Sequence, residues 1–242
     1  MRGIKPGWYV LAAVTVYAAV ATVLLLTRPP QPSAPPAAGA APTAPEPAGR
    51  AETAYGPEGL WFPVPGARLP RSDANLPSAP RPYRNGVSQG FDFVDGDLDV
   101  PLPYGAAVIA AAPAQVIRAD TGYVELSPES WERLLDDVAD GASEEELDRL
   151  RGRQVWLQTA DGTVLRYGHL SRVAGGVSVG RSVYRGQVVG YVGNSGTDAG
   201  VAGGEDRPRL RFEVWPEEGA YFGAGLTPEQ VRLEAASRFV GP

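Results

Sequence analysis

Two adjoining stretches near the start of the chain decide where a fold can form. From Trp8 to Leu26 the sequence WYVLAAVTVYAAVATVLLL carries no charge, and at about 1.5 Å per residue a helix of that length crosses the roughly 30 Å hydrocarbon layer of a bilayer. Residues 29–49 (PPQPSAPPAAGAAPTAPEPAG) are rich in Pro and Ala. Such a tract cannot bury a core and extends as a semi-rigid spacer with a reach of about 60 Å. Arg2 and Lys5 precede the apolar run and Arg28 alone follows it closely, a bias that holds the N-terminus in the cytoplasm. The expected order is therefore a cytoplasmic tip (1–7), a single transmembrane helix (8–27) and a linker (28–55). A cleaved signal peptide is the competing reading, but the apolar run exceeds the roughly 7–15 residues of such a segment and ends in Thr-Arg-Pro-Pro. Everything from about residue 56 is left for a folded domain in the periplasm or other extracytoplasmic space, carried by the inner or cytoplasmic membrane.

Charge and composition exclude several classes of function. The formal net charge is −6, and nothing resembles the basic stripe that phosphate neutralisation needs, so nucleic acid is not an expected partner. Cysteine is absent, which removes disulfides, thiolate metal ligands and cysteine nucleophiles.

Beyond Trp61, short segments rich in Val, Ile and Tyr alternate with Gly, Pro, Asn and Asp turns, which predicts a mainly β, antiparallel sandwich or barrel-like domain. The expected strands are 90–94, 106–111, 114–119, 123–126, 154–159, 163–170, 187–192 and 210–215. The pair 154–159 and 163–170, joined by Ala-Asp-Gly, reads as a hairpin. Residues 127–152 break the pattern. Ser127 and Pro128 mark a helix start, Trp131, Leu134, Leu135 and Val138 share one face, and Ser143 with Glu146 forms a capping-box signature. This is expected to be a helical hairpin inserted between strands, with nine acidic residues against three Arg. Thr227, Pro228 and Gln230 repeat the cap logic for a final helix in the segment 219–242, expected as an extension of a β domain spanning 56–218.

The order of these phrases resembles the lysostaphin-like, LytM-type zinc endopeptidases of bacterial cell walls. The resemblance covers about Trp61 to Trp215. Phe62 to Gly66 reads Phe-Pro-Val-Pro-Gly, and Gly105-Ala106-Ala107-Val108 stands for Gly-Thr-Pro-Val. Tyr167 to Ser171 keeps Tyr-x-His-Leu-Ser intact, and residues 185–190 and 193–196 match the Gly-Gln-x-x-Gly and Gly-x-(Ser/Thr)-Gly turns. The departures fall on the chemistry. The family's His-x-Gly-x-Asp is Ser88-Gln89-Gly90-Phe91-Asp92, and its Pro-His-x-His-Phe-Glu-Val is Pro208-Arg209-Leu210-Arg211-Phe212-Glu213-Val214. The resemblance thus places Ser88, Asp92 and Arg211 at the metal-ligand positions, and His169 and Arg209 at the positions that serve the attacking water and the oxyanion.

A catalytic zinc needs about three ligands drawn from His, Cys and carboxylates, with one position open for water. This chain has one His and no Cys, and a guanidinium stays protonated and repels the metal. No zinc, no other cofactor and no peptidase activity by the family mechanism are expected. Asp92 without a metal would be a partly buried anion, and Arg209 or Arg211, two residues apart and so on one face of a strand, would supply the missing positive charge. The other arginine is then left for an anionic ligand, which makes Asp92, His169, Arg209 and Arg211 the candidate groove residues. Asp95, Asp97 and Asp99 are expected to form a solvated turn, since they lack the remaining ligands of a calcium loop. The leading expectation is a membrane-anchored, non-catalytic peptidase-like protein that binds peptidoglycan, a cell-wall hydrolase or another envelope protein and acts in wall remodelling or its regulation. Two alternatives remain open: an active zinc endopeptidase with a rearranged site built on Asp92, His169 and Glu213 or Glu205, and a structural β module whose contact is the helical hairpin.

Overall fold

The computed structural model describes residues 57–216 and 220–241. The expected transmembrane helix at 8–27 and the linker as far as Tyr55 lie outside the described residues, and among these no helix is long and apolar enough to cross a membrane. The strands are β1 (Pro80–Arg81), β2 (Gly86–Val87), β3 (Phe91–Val94), β4 (Ala107–Ile109), β5 (Ala114–Ala119), β6 (Val155–Gln158), β7 (Val164–Gly168), β8 (Leu170–Val173), β9 (Ser182–Val183), β10 (Val188–Val192) and β11 (Arg209–Trp215). They form a six-stranded sheet in the order β3-β11-β7-β6-β5-β9, a three-stranded sheet β4-β10-β8 and the hairpin β1-β2. The strand pairings are antiparallel, as the alternating pattern and tight turns predicted.

Helices α1 (Pro128–Asp137), α2 (Glu144–Leu150), α3 (Asp198–Val201) and α4 (Pro228–Arg238) complete the fold. The expected caps are made. The Ser127 hydroxyl accepts from the Ser130 amide, and reciprocal capping boxes join Ser143 to Glu146 and Thr227 to Gln230. Each cap satisfies N–H groups that a helix end cannot satisfy internally. Leu134, Val138, Leu147 and Leu150 then close into a small apolar cluster of their own, with Trp131 packed beside it.

The main core lies on one face of the large sheet. Along β11, Leu210, Phe212 and Val214 are buried there, as the two-residue period of a strand requires. The segment expected as a C-terminal extension is part of this core: Val231 and Ala235 of α4 are buried in it, and the Phe239 ring stacks on Phe62 at 5.0 Å between centroids.

Two expectations fail. Residues 123–126 form no strand; Val124 is 83% exposed, and Glu125 accepts from the Tyr123 hydroxyl at 2.7 Å and from the Gly196 amide at 3.0 Å. Its apolar alternation is outweighed by polar bonds, one local and one to a residue distant in the chain. The run 163–170 is not one strand either. It breaks at His169, whose φ of 58° puts it in the left-handed region, so that Leu170 opens β8 in the other sheet. The turn Asp95–Asp99 serves the loops around it: Asp95 accepts from the Leu102 amide, Asp97 from the Ser72 amide and Asn75, and Asp99 pairs with Arg71.

Candidate functional site

The other face of β11 carries Arg209, Arg211, Glu213 and Trp215, opposite in direction to its core residues, and the last three of these are buried as well. Strand register decides what each meets. Arg211 lies directly across from Asp92 of β3 and, on its other side, from Gly168 of β7. At Gly168 a Cβ would sit 3.0 Å from the Arg151 carbonyl oxygen and 3.4 Å from the Arg211 Cβ, so the missing side chain makes room for the arginine. Gly90 is equally confined, since a Cβ there would collide with the Phe212 carbonyl oxygen and the Glu213 side chain.

Arg211 makes the ion pair that the sequence suggested. Its Nη1 donates to both Asp92 carboxylate oxygens at 2.9 Å, its Nη2 to Ser88 Oγ at 3.1 Å and its Nε to Glu213 Oε1 at 3.1 Å. Ser88 Oγ in turn donates to the Gly90 carbonyl oxygen at 2.8 Å. The three family-equivalent ligand positions therefore converge, joined by a guanidinium. Arg81 of the β1-β2 hairpin, which sequence reasoning missed, adds a second cation by donating to Asp92 Oδ2 at 2.6 Å.

Glu213 is the other anion. At 1% exposure it accepts from Arg151 Nε at 3.0 Å, from Arg211 Nε and from Trp215 Nε1 at 2.9 Å. Arg151 caps the C-terminus of α2 and donates to Gln89 Oε1 at 2.6 Å, while its carbonyl accepts from the His169 amide at 2.7 Å. The inserted hairpin is thus tied to the site through one buried arginine. A faint sequence signal existed: Arg151 directly follows the last apolar residue of the predicted second helix.

The titration behaviour follows from this network. Burial would raise the Asp92 carboxyl, but Arg211 and then Arg81 outweigh it and hold the group well below the usual carboxylate range. Glu213 is lowered in the same way against burial, by Arg151 and Arg211. His169 moves down to about 4, first through burial and then through repulsion from Arg209, with Asp92 opposing. Its Nδ1 lies 2.8 Å from the Ser195 carbonyl oxygen, an atom that can only accept, so Nδ1 carries the proton of the neutral ring and Nε2 is left as an acceptor.

The donor set at Ser88, Asp92 and Arg211 does not fit zinc. It offers a hydroxyl, a carboxylate already shared by two guanidinium groups, and a permanent cation. The rearranged set fares no better: Glu213 is engaged by Arg151, Arg211 and Trp215, and among the described residues no three His, Cys, Asp or Glu side chains come together.

Around this network lies a pocket of about 390 Å³. The sheet side presents Asp92, His169, Arg209, Arg211 and Glu213, and the far wall is apolar, formed by Trp131, Leu135, Leu147 and Leu150 of the insertion. The hairpin therefore borders the groove and leaves it open.

Residues 138–222 match the family model described as Peptidase family M23. That segment, about a third of the chain, is similar to family M23. The matched segment contains His169, Arg209 and Arg211, while Ser88 and Asp92 precede it. No curated protein sequence matches the chain significantly. Solved structures similar to this chain include a zinc-containing peptidase from Vibrio cholerae, with 21% identity, a TM-score of 0.41 and coverage of 65% of this chain and 37% of that one. Another is the catalytic domain of lysostaphin from Staphylococcus simulans, with 22% identity, a TM-score of 0.36 and coverage of 58% and 74%. A third is the catalytic domain of the prophage-encoded M23 protein EnpA from Enterococcus faecalis, with 20% identity, a TM-score of 0.41 and coverage of 73% and 97%. This chain thus spans little more than a third of the Vibrio cholerae protein.

Proposed function

We propose that this protein is a non-catalytic M23-type protein of the cell envelope, held to the membrane by its N-terminal helix, that binds peptidoglycan or an envelope protein and acts in cell-wall remodelling or its regulation. One observation carries the reading: the Arg211 guanidinium stands where the family pattern calls for a histidine ligand and closes on Asp92 at 2.9 Å. A buried cation at that point opposes metal binding and leaves no group to lower the pKa of a water molecule. What persists is a pocket suited to binding without turnover. The exposed acidic residues of the insertion, among them Glu132, Asp136, Asp137 and Asp140, favour a second reading in which the hairpin docks a basic protein partner.

Co-sedimentation of residues 51–242 with purified sacculi, followed by analysis of the supernatant for released fragments, tests this. Pelleting without release is the expected result. Release of fragments would overturn the non-catalytic reading. A domain that stays in solution and releases nothing would remove the wall as ligand and leave the hairpin as the contact, to be checked by loss of partner association on deleting 128–152.

A further inference from the structure

The cations of the pocket outnumber its anions in a particular way. Arg81 and Arg211 close on Asp92, and Arg151 closes on Glu213. Asp198, at the rim, pairs outward with Arg207. Arg84 and Arg209 also line the pocket, yet among the described residues neither has a carboxylate within ion-pairing distance, and the Nε of each is buried without a hydrogen-bond partner. Arg84 as a whole is only 6% exposed. A buried guanidinium without a counterion is costly: burial lowers the Arg84 pKa, Arg211 and Arg81 add repulsion and Tyr83 opposes them, while the Val87 carbonyl that accepts from Arg84 Nη2 carries no charge to balance it. An anion entering the pocket would offset that cost.

The remaining surfaces narrow the anion. Trp131, Leu135 and Leu147 offer an apolar wall, which a bare inorganic ion would leave uncovered and a small aliphatic side chain would fill. His169 Nε2 is an acceptor, because Nδ1 is committed to the Ser195 carbonyl; it suits an amide N–H. A carboxylate, small apolar side chains and an amide N–H occur together at the C-terminus of a peptide. We infer that the pocket between the α1-α2 hairpin and the Asp92–Arg211 pair binds the free C-terminal carboxylate of a short peptide, with Arg84 and Arg209 taking the charge and the hairpin taking the side chains. The inference deepens the binding reading above and rests on it only for the source of the peptide.

The test uses the full-length protein in detergent, titrated calorimetrically with N-acetyl-dialanine in its L,L and D,D forms and with the corresponding C-terminal amides. The acid in at least one form should bind with a Kd of about 1 mM or tighter, and its amide about tenfold more weakly or worse, because a charge-assisted contact is lost. Arg209→Gln and Arg84→Gln should each weaken the acid about tenfold and leave the amide unchanged. Arg209→Gln decides the matter if Arg84→Gln fails to fold. Equal binding of acid and amide, no binding of either at about 10 mM, or an Arg209→Gln variant that binds the acid like wild type would overturn the inference. Sacculus pelleting, measured in parallel, separates the two readings. Pelleting without preference for the acid removes the pocket assignment alone, whereas preference for the acid without pelleting supports the pocket and removes the wall as the ligand.

Discussion

Replacing Arg211 with alanine removes the cation that donates to both Asp92 carboxylate oxygens, and its cost can be worked from the geometry. Asp92 is 5% exposed and Arg211 8%, so neither is screened much by water. Breaking a buried pair by deleting one partner costs on the order of 3–5 kcal/mol, because the other charge stays buried. Here Arg81 still holds Asp92 Oδ2 at 2.6 Å, and Glu213 keeps Arg151 and Trp215, so the loss belongs at the lower end, about 3 kcal/mol. Urea denaturation followed by circular dichroism measures it. A cycle with Asp92→Asn isolates the pair: the double variant should be more stable than the sum of the single losses predicts, by about 2 kcal/mol. The same pair has a pH signature. Asp92 is lowered in the folded state, so its contribution is present above the unfolded carboxylate pKa of about 4 and is lost as pH falls below it. Asp92→Asn should flatten that acid limb. An Arg211→Ala variant within about 0.5 kcal/mol of wild type, together with an additive cycle, would refute the idea that this guanidinium is the fold's substitute for a metal.

Two further outcomes follow from the same site. His169 titrates at about 4 when folded and at about 6.5 when unfolded, so only the unfolded chain takes up a proton between those values; stability should fall by about 3 kcal/mol as pH drops from about 6.5 to 4, then lose this dependence below. A His169→Gln variant that keeps the full slope in that window would show that another group is responsible. Because Ser88, Asp92 and Arg211 already meet within hydrogen-bonding distance, the double substitution Ser88→His with Arg211→His should yield a protein that retains close to one zinc per chain by elemental analysis, while either single substitution retains far less. A double variant that folds but takes up no zinc would mean that the three positions converge less well than their hydrogen bonds suggest.

Much of the site is legible in the sequence because its logic is local or arithmetical. One histidine and no cysteine already oppose a zinc site, and two arginines spaced by two residues on a strand must share a face. The structure then chose between those arginines through register: Arg211 lies opposite Asp92, while Arg209 lies opposite Val94 and meets no carboxylate among the described residues. Arg81, Arg84 and Arg151 were not legible as site residues. Arg81 and Arg84 come from the β1-β2 hairpin and its short 3-10 turn, and Arg151 from a helix end far along the chain, and no periodicity connects them with β11.

The sequence alone determined the elements whose causes lie within a few residues: the capped helices of the insertion, the β6-β7 hairpin, the final helix, and the exclusion of thiolate chemistry. Tertiary structure alone decided what depends on partners distant in sequence. It folded α4 into the core, turned 123–126 into an irregular segment by offering Glu125 the Gly196 amide, and broke one long predicted strand at His169 to feed two sheets. It also placed the insertion beside the groove as an apolar wall. Caps and alternation are short-range interactions that a chain carries with it, whereas burial and ion pairing are properties of a residue's surroundings, and those exist only once the strands have found their register.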